Sequence, residues 1–123
     1  MVLRLAEQYL IRAEANAHSG DLASAIKDLN IIRQRAGLGT LPSSLTQAQV
    51  IAAVAQERRI ELFAEWGHRW FDLKRTGQVD AVMSEITPQK VGAITGWKSY
   101  QQLYPIPQSE RQLNPNLTQN PGY

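Results

Sequence analysis

Five of the six prolines in this 123-residue chain lie beyond Thr87, and the sixth, Pro42, stands alone ahead of it. Proline fixes φ, removes a backbone donor and breaks a helix interior. The chain ahead of Thr87 is therefore free to be helical, and the chain from Pro88 onward is not. Residues 88–123 also hold three glycines and six glutamines but only four charged side chains. The expectation is an all-α protein with a long irregular Pro-rich C-terminal strap over residues 88–123. The strap should lie fixed and extended against the helices, within a single domain spanning residues 1–123.

Two amphipathic segments open the chain. Leu5, Tyr9, Ala13 and Ala17 recur at helical spacing between Leu3 and Ser19, and Gly20 supplies a C-cap. Asp21 then opens a second helix to about Ala36, with Leu22, Ala25, Ile26, Leu29 and Ile32 on its apolar side and Gly37 at its end. So short a break leaves the chain nowhere to go but back, so residues 1–37 should form an antiparallel hairpin. Ala13 and Ala25 flank the Gly20-Asp21 turn, and small residues there let the two backbones approach. The arrangement resembles a tetratricopeptide unit, although Arg12 and Asn16 stand where that repeat prefers Leu and Tyr. A lone unit of this kind must pack on further structure.

The second helical block should cover residues 46–87. Thr46 and Gln49 form a capping box, each side chain satisfying an orphan N–H of the other. The helix that follows should run from Gln47 to about Trp66, stopped by Gly67. A shorter piece, His68 to Arg75, comes next, and Gln78 to Ile86 places Val79, Val82, Met83 and Ile86 on one side of a last helix.

The long helix carries an unusual column of charge. Ile51, Val54, Arg58, Glu61, Leu62 and Glu65 share one face, and Glu57, Glu61 and Glu65 recur every fourth residue. Like charges at that spacing cost about 0.2–0.5 kcal/mol per exposed pair, so cations must answer them. The expectation is a structural ion network, partly buried, made of Glu57, Arg58, Glu61, Glu65, Arg69 and Asp72. In it, Arg58 and Arg69 each neutralise carboxylates in a desolvated site. The alternatives are plain solvated charge, which the interleaved Leu62, Trp66, Trp70 and Phe71 argue against, and a metal or acid–base site at the Glu65-x-x-His68 spacing. That motif has no second copy, because Glu14 and His18 are wrongly spaced.

Other chemistry is nearly absent. With no cysteine, disulfides, zinc fingers, iron–sulfur clusters and thiol catalysis are excluded. His18 and His68 belong to no Ser/His/Asp constellation, and Gly37-Leu38-Gly39 lacks the strand, third glycine and lysine of a phosphate loop. The pI of 9.2 comes from a net charge of only +2 without any Lys/Arg block, so nucleic acid is not an expected partner. No stretch approaches the roughly 20 apolar residues of a membrane span. Arg4, Glu7, Arg12 and Glu14 make the first residues unlike a secretory signal, so a natural N-terminal portion is expected to be missing. No enzyme activity, catalytic residue, metal or cofactor is expected. Trp66 and Trp70, four residues apart, should be core. Trp97 and Tyr100, in a Gly-flanked polar loop, are the aromatic candidates for stacking on a ligand.

Several motifs recur in a fixed order: Tyr9-Leu10-Ile11-Arg12-Ala13-Glu14-Ala15, Asn30-Ile31-Ile32-Arg33-Gln34-Arg35-Ala36-Gly37, Glu57-Arg58-Arg59-Ile60-Glu61-Leu62, Arg69-Trp70-Phe71-Asp72-Leu73-Lys74-Arg75 and Leu103-Tyr104-Pro105-Ile106-Pro107, with Gln119-Asn120-Pro121-Gly122-Tyr123 last. Together they resemble the C-terminal region of the SusD/RagB family over essentially the whole chain. One departure is His68 directly after Trp66-Gly67, where the family usually carries an acidic or small residue followed by Gly.

The resemblance implies a mostly α-helical protein built on tetratricopeptide-like hairpins. It implies the non-catalytic part of a surface-exposed outer-membrane lipoprotein that captures glycans or other nutrients. Such a protein works with a SusC-like TonB-dependent transporter and uses no cofactor. The chain would then be the C-terminal part of a longer protein, with the lipid anchor and the ligand-binding aromatics in the missing portion. No residue here matches a family ligand motif. The alternative is a tetratricopeptide-like scaffold for protein–protein contact with no ligand site of its own.

Overall fold

The computed structural model describes residues 4–91 and 96–123. Its helices are α1 (Leu5–Ser19), α2 (Leu22–Arg35), α3 (Gln47–Glu61), α4 (His68–Arg75), α5 (Val79–Val91) and α6 (Gln108–Leu113), with a 3-10 turn at Ser99–Gln102. No strand occurs among the described residues, so the protein is all-α. The chain divides into two compact units, Met1–Arg69 and Trp70–Tyr123.

In the first unit, α1 and α2 form the hairpin and α3 packs against both. Gly20 takes φ 88°, a left-handed conformation that costs a side-chain-bearing residue more than glycine, and Asp21 accepts the Ser24 N–H at 3.1 Å. At the other end of α2, Leu38 N–H reaches Arg33 O at 2.8 Å and Gly37 N–H reaches Gln34 O at 3.0 Å. Those two bonds satisfy carbonyls that the helix itself cannot. Ala13, Ala17 and Ala25 are completely buried, and Leu10, Leu29, Val50 and Val54 fill the core around them. Burying each of these larger side chains contributes about 1.5–3 kcal/mol.

Polar tethers fix the segment between α2 and α3. Asn30 Oδ1 accepts Leu41 N–H at 2.8 Å, Arg33 Nε donates to Gly39 O at 2.8 Å, and Gln47 Nε2 donates to Ala17 O at 2.9 Å. The Thr46–Gln49 capping box starts α3, with Thr46 N–H donating to Gln49 Oε1 at 2.9 Å. The start expected for the first helix, at Leu3, lies outside the described residues.

α3 ends at Glu61, short of the expected Trp66. Leu62 N–H closes the last turn on Arg58 O, and the chain then turns through Ala64 at φ 58° and Trp66 at φ 44°. Left-handed backbone is strained for both residues, so something must hold it. Arg4 does so. Its guanidinium donates to the Glu61 carbonyl at 2.9 Å and to the Glu65 carboxylate at 2.6 Å. A continuous helix would have stacked Glu65 beneath Glu61 and Glu57, whereas the turn delivers it to a cation. Trp66, expected in the core at helical spacing from Trp70, is instead 67% exposed, because the two residues no longer share a helix.

α4 matches its expected bounds, and Gly77 separates it from α5, which belongs to the second unit. α5 continues through Pro88 to Val91, so residues 88–91 are helical rather than part of an irregular strap. Pro88 falls in the last turn, where it removes one hydrogen bond and the helix stops three residues later. Residues 92–95 of the expected strap lie outside the described residues. Residues 96–123 are irregular apart from the 3-10 turn and α6.

Candidate functional site

The carboxylates of α3 are answered by arginines from other elements. Glu57, with 8% of its side chain exposed, pairs with Arg33 of α2 at 2.5 Å. Glu61, 11% exposed, pairs with Arg4 and with Arg35 of α2, the latter at 2.5 Å. Glu65 pairs with Arg4 at 2.6 Å. The partners expected from spacing along the chain were Arg58 and Arg69. Arg58 is buried in α3, while Arg69 is exposed at the start of α4. Packing α2 and the chain ahead of α1 against α3 adds to the expected network cations that no spacing within α3 can reveal. Asp72 lies in the second unit, where it accepts from Arg75 Nε at 2.8 Å.

Arg12 departs from the tetratricopeptide pattern for a visible reason. Its guanidinium grips Asp28 with two bonds of 2.7 Å and lies 5.3 Å from the centre of the Tyr9 ring. Asp28 is 3% exposed, so this pair keeps a buried carboxylate compensated on the hairpin. The fork of hydrogen bonds that Arg12 donates to Asp28 holds the guanidinium protonated even more firmly than usual. Nothing in the spacing of Arg12 and Asp28 marks them as a pair until the hairpin is closed.

Glu65 and His68, the Glu-x-x-His pair, face different partners. Glu65 meets Arg4, and His68 Nδ1 lies 3.6 Å from Glu7 of α1. Among the described residues, no group of three or more His, Asp or Glu side chains converges as a metal site. Along α2 runs an open groove of about 470 Å³, lined by Ile26, Lys27, Asn30, Ile31, Gln34 and Leu41 among others.

The aromatic candidates lie in the second unit. Trp97 Nε1–H donates to Asp80 Oδ1 at 2.7 Å, and Ser99 Oγ–H donates to Asp80 Oδ2 at 2.7 Å. The Trp97 ring meets Trp70 edge to face at 6.2 Å, and Lys74 Nζ stands 5.9 Å from the centre of the Trp70 ring. Lys74 also donates to Gln102 O at 3.0 Å. Trp97 is thus half-buried with its polar edge fixed. Tyr100, 40% exposed, packs edge to face with Tyr123 at 5.0 Å.

Asp80 was not singled out by sequence, since a lone Asp in the first turn of a helix has an ordinary role there. The hydrogen bonds from Trp97 and then Ser99 hold its carboxyl below the usual carboxylate range. A depressed folded pKa adds stability above the unfolded value, and that stability is lost as pH falls through the folded one. Trp97 emission should therefore hold steady on acidification through the ordinary carboxylate range and change only below it. In an Asp80→Asn variant, emission should show no such acid transition. A Trp97 transition at an ordinary carboxylate pH would show that Asp80 is not its anchor.

Among the described residues, no helix is long and apolar enough to cross a membrane. Comparison with known proteins gives a consistent result. A family model described as the SusD family matches residues 1–123. The starch-binding protein SusD of Bacteroides thetaiotaomicron is 36% identical over 99% of the chain, which covers 21% of that protein. SusD-like protein P38 of Formosa agariphila is 32% identical over the whole chain, covering 24% of that protein. Among solved structures, surface glycan-binding protein A from Bacteroides uniformis superposes with a TM-score of 0.78 at 31% identity, over 97% of this chain and 27% of that one. A SusD-like protein from Bacteroides fragilis gives a TM-score of 0.72 at 31% identity, over 99% of this chain and 25% of that one. The chain spans about a fifth to a quarter of the length of the curated relatives it matches. Matched over its full length in sequence and laid out in space like these relatives, the chain belongs to the SusD family.

Proposed function

We propose that this chain is a non-catalytic part of a SusD-like protein that captures a nutrient, a glycan in the first instance. The observation that carries the reading is its 36% identity, over 99% of its length, to a protein named for binding starch. Capture would proceed by shape-matched, aromatic-stacked binding without bond chemistry. The ligand would then pass to a SusC-like TonB-dependent transporter at the outer membrane, where the parent protein is a surface lipoprotein. Within this chain, Trp97 and Tyr100 are the residues proposed to reach a sugar ring, and the buried arginine–carboxylate pairs serve as framework.

A second reading is a helical-hairpin scaffold for protein contact, with no ligand site of its own. The groove along α2, with its mixed apolar and amide lining, favours it. Tryptophan emission decides between the two, with Trp66, Trp70 and Trp97 as reporters in a titration against a panel of oligosaccharides. A saturable, ligand-specific change that disappears in a Trp97→Ala variant is the expected result. No change from a folded chain would leave this region as framework or protein contact.

A further inference from the structure

The segment Leu103–Ile106 contains Pro105 and is followed by Pro107, so it can neither continue a helix nor complete a strand ladder. Its remaining backbone groups still need partners, and three side chains near residue 123 supply them. Gln119, whose Oε1 also accepts the Asn120 N–H at 2.9 Å, turns its amide on Ile106, accepting the N–H at 2.7 Å and donating to the carbonyl at 3.0 Å. That double contact is what a neighbouring strand would offer, made here by one side chain. Asn120 Nδ2 donates to Tyr104 O at 2.6 Å, and Tyr123 Oη–H donates to Leu103 O at 2.8 Å.

The ring contacts close the same loop. Tyr123 meets Tyr100 edge to face at 5.0 Å with the planes 84° apart, a favoured aromatic geometry. Gly122 lies against the Tyr100 ring at φ 95°, where a Cβ would fall 2.7 Å from Cδ1 and 2.8 Å from Cδ2. Both the backbone conformation and the close approach require glycine. On its other flank, the Ser99–Gln102 turn is held through Ser99 to Asp80 and through the Gln102 carbonyl to Lys74.

We infer that Gln119, Asn120, Gly122 and Tyr123 are a clasp that folds back on Tyr100–Ile106 and locks residues 99–123 into one self-closed unit. The clasp packs the Tyr100 ring against Gly122 and Tyr123 and leaves it 40% exposed. Opening it frees that ring and exposes the Tyr100–Gln101 bond to proteases.

Amide hydrogen exchange on the whole chain tests the clasp. Gly122→Ala pushes the Tyr100 ring away, and Tyr123→Ala removes both the ring contact and the Leu103 bond. Each variant should speed exchange of the Ile106 and Asn120 amides by about tenfold, the scale of one lost contact, while amides of α1–α3 keep their wild-type rates. Chymotrypsin should cut after Tyr100 correspondingly faster. Unchanged exchange at Ile106 and Asn120 in both variants overturns the clasp. Equal acceleration in α1–α3 overturns it too, because residues 99–123 would then not open on their own.

Discussion

A Leu29→Ala substitution is expected to lower the unfolding free energy of the first unit by about 2–5 kcal/mol. Leu29 is completely buried among Ala13, Ala17, Ala25 and Val54, so the cut removes apolar contact and leaves a cavity in a core built on small residues. Alanines cannot swing in to fill it, which places the cost toward the upper half of that range. Ile11→Ala, at a position 47% exposed on α1, is the control and should stay within about 1 kcal/mol of wild type. Denaturant titration followed by helical circular dichroism measures both. Equal effects at the two positions would mean that the hairpin core is not where the first unit holds its stability.

The second large effect is expected at Arg33. Replacing it with Met strands Glu57, whose side chain is 8% exposed and whose partner at 2.5 Å is gone. Leaving a buried charge uncompensated costs about 3–5 kcal/mol, far more than the one surface contact Arg33 makes with Gly39. The sign of the explanation is testable, because the penalty comes from the surviving charge rather than from the lost bond. Adding Glu57→Gln to Arg33→Met should therefore restore most of the stability. A double variant as unstable as the single one would place the penalty in the lost Arg33 contacts and not in a stranded Glu57 charge.

Local signals set most helix ends, and they were legible. Gly20, Asp21, Gly37 and the Thr46–Gln49 box each act on backbone groups within four residues, so their effect can be read directly from the chain. The end of α3 is different. Residues 62–66 have the periodicity to extend that helix, and the turn prevails because Arg4, far away in sequence, takes the Glu61 carbonyl and the Glu65 carboxylate. Likewise, three carboxylates at four-residue spacing announced that cations were needed without saying which. Arg33, Arg35 and Arg4 answer them from outside the helix. Asp80 was silent in the sequence, since its bonds to Trp97 and Ser99 span 17 and 19 residues.

The sequence alone therefore determined the all-α class, the antiparallel hairpin, the starts of α2, α3 and α4 and the family resemblance, because each depends on neighbours within a turn or on the order of motifs. Tertiary structure alone decided the end of α3, the exposure of Trp66, the partners of the buried carboxylates and the fixing of Trp97 to Asp80. The physical reason is range. Capping and periodicity act along the backbone, whereas a buried charge takes whichever counter-charge the packed helices bring within hydrogen-bond distance, and a linear sequence does not encode that distance directly.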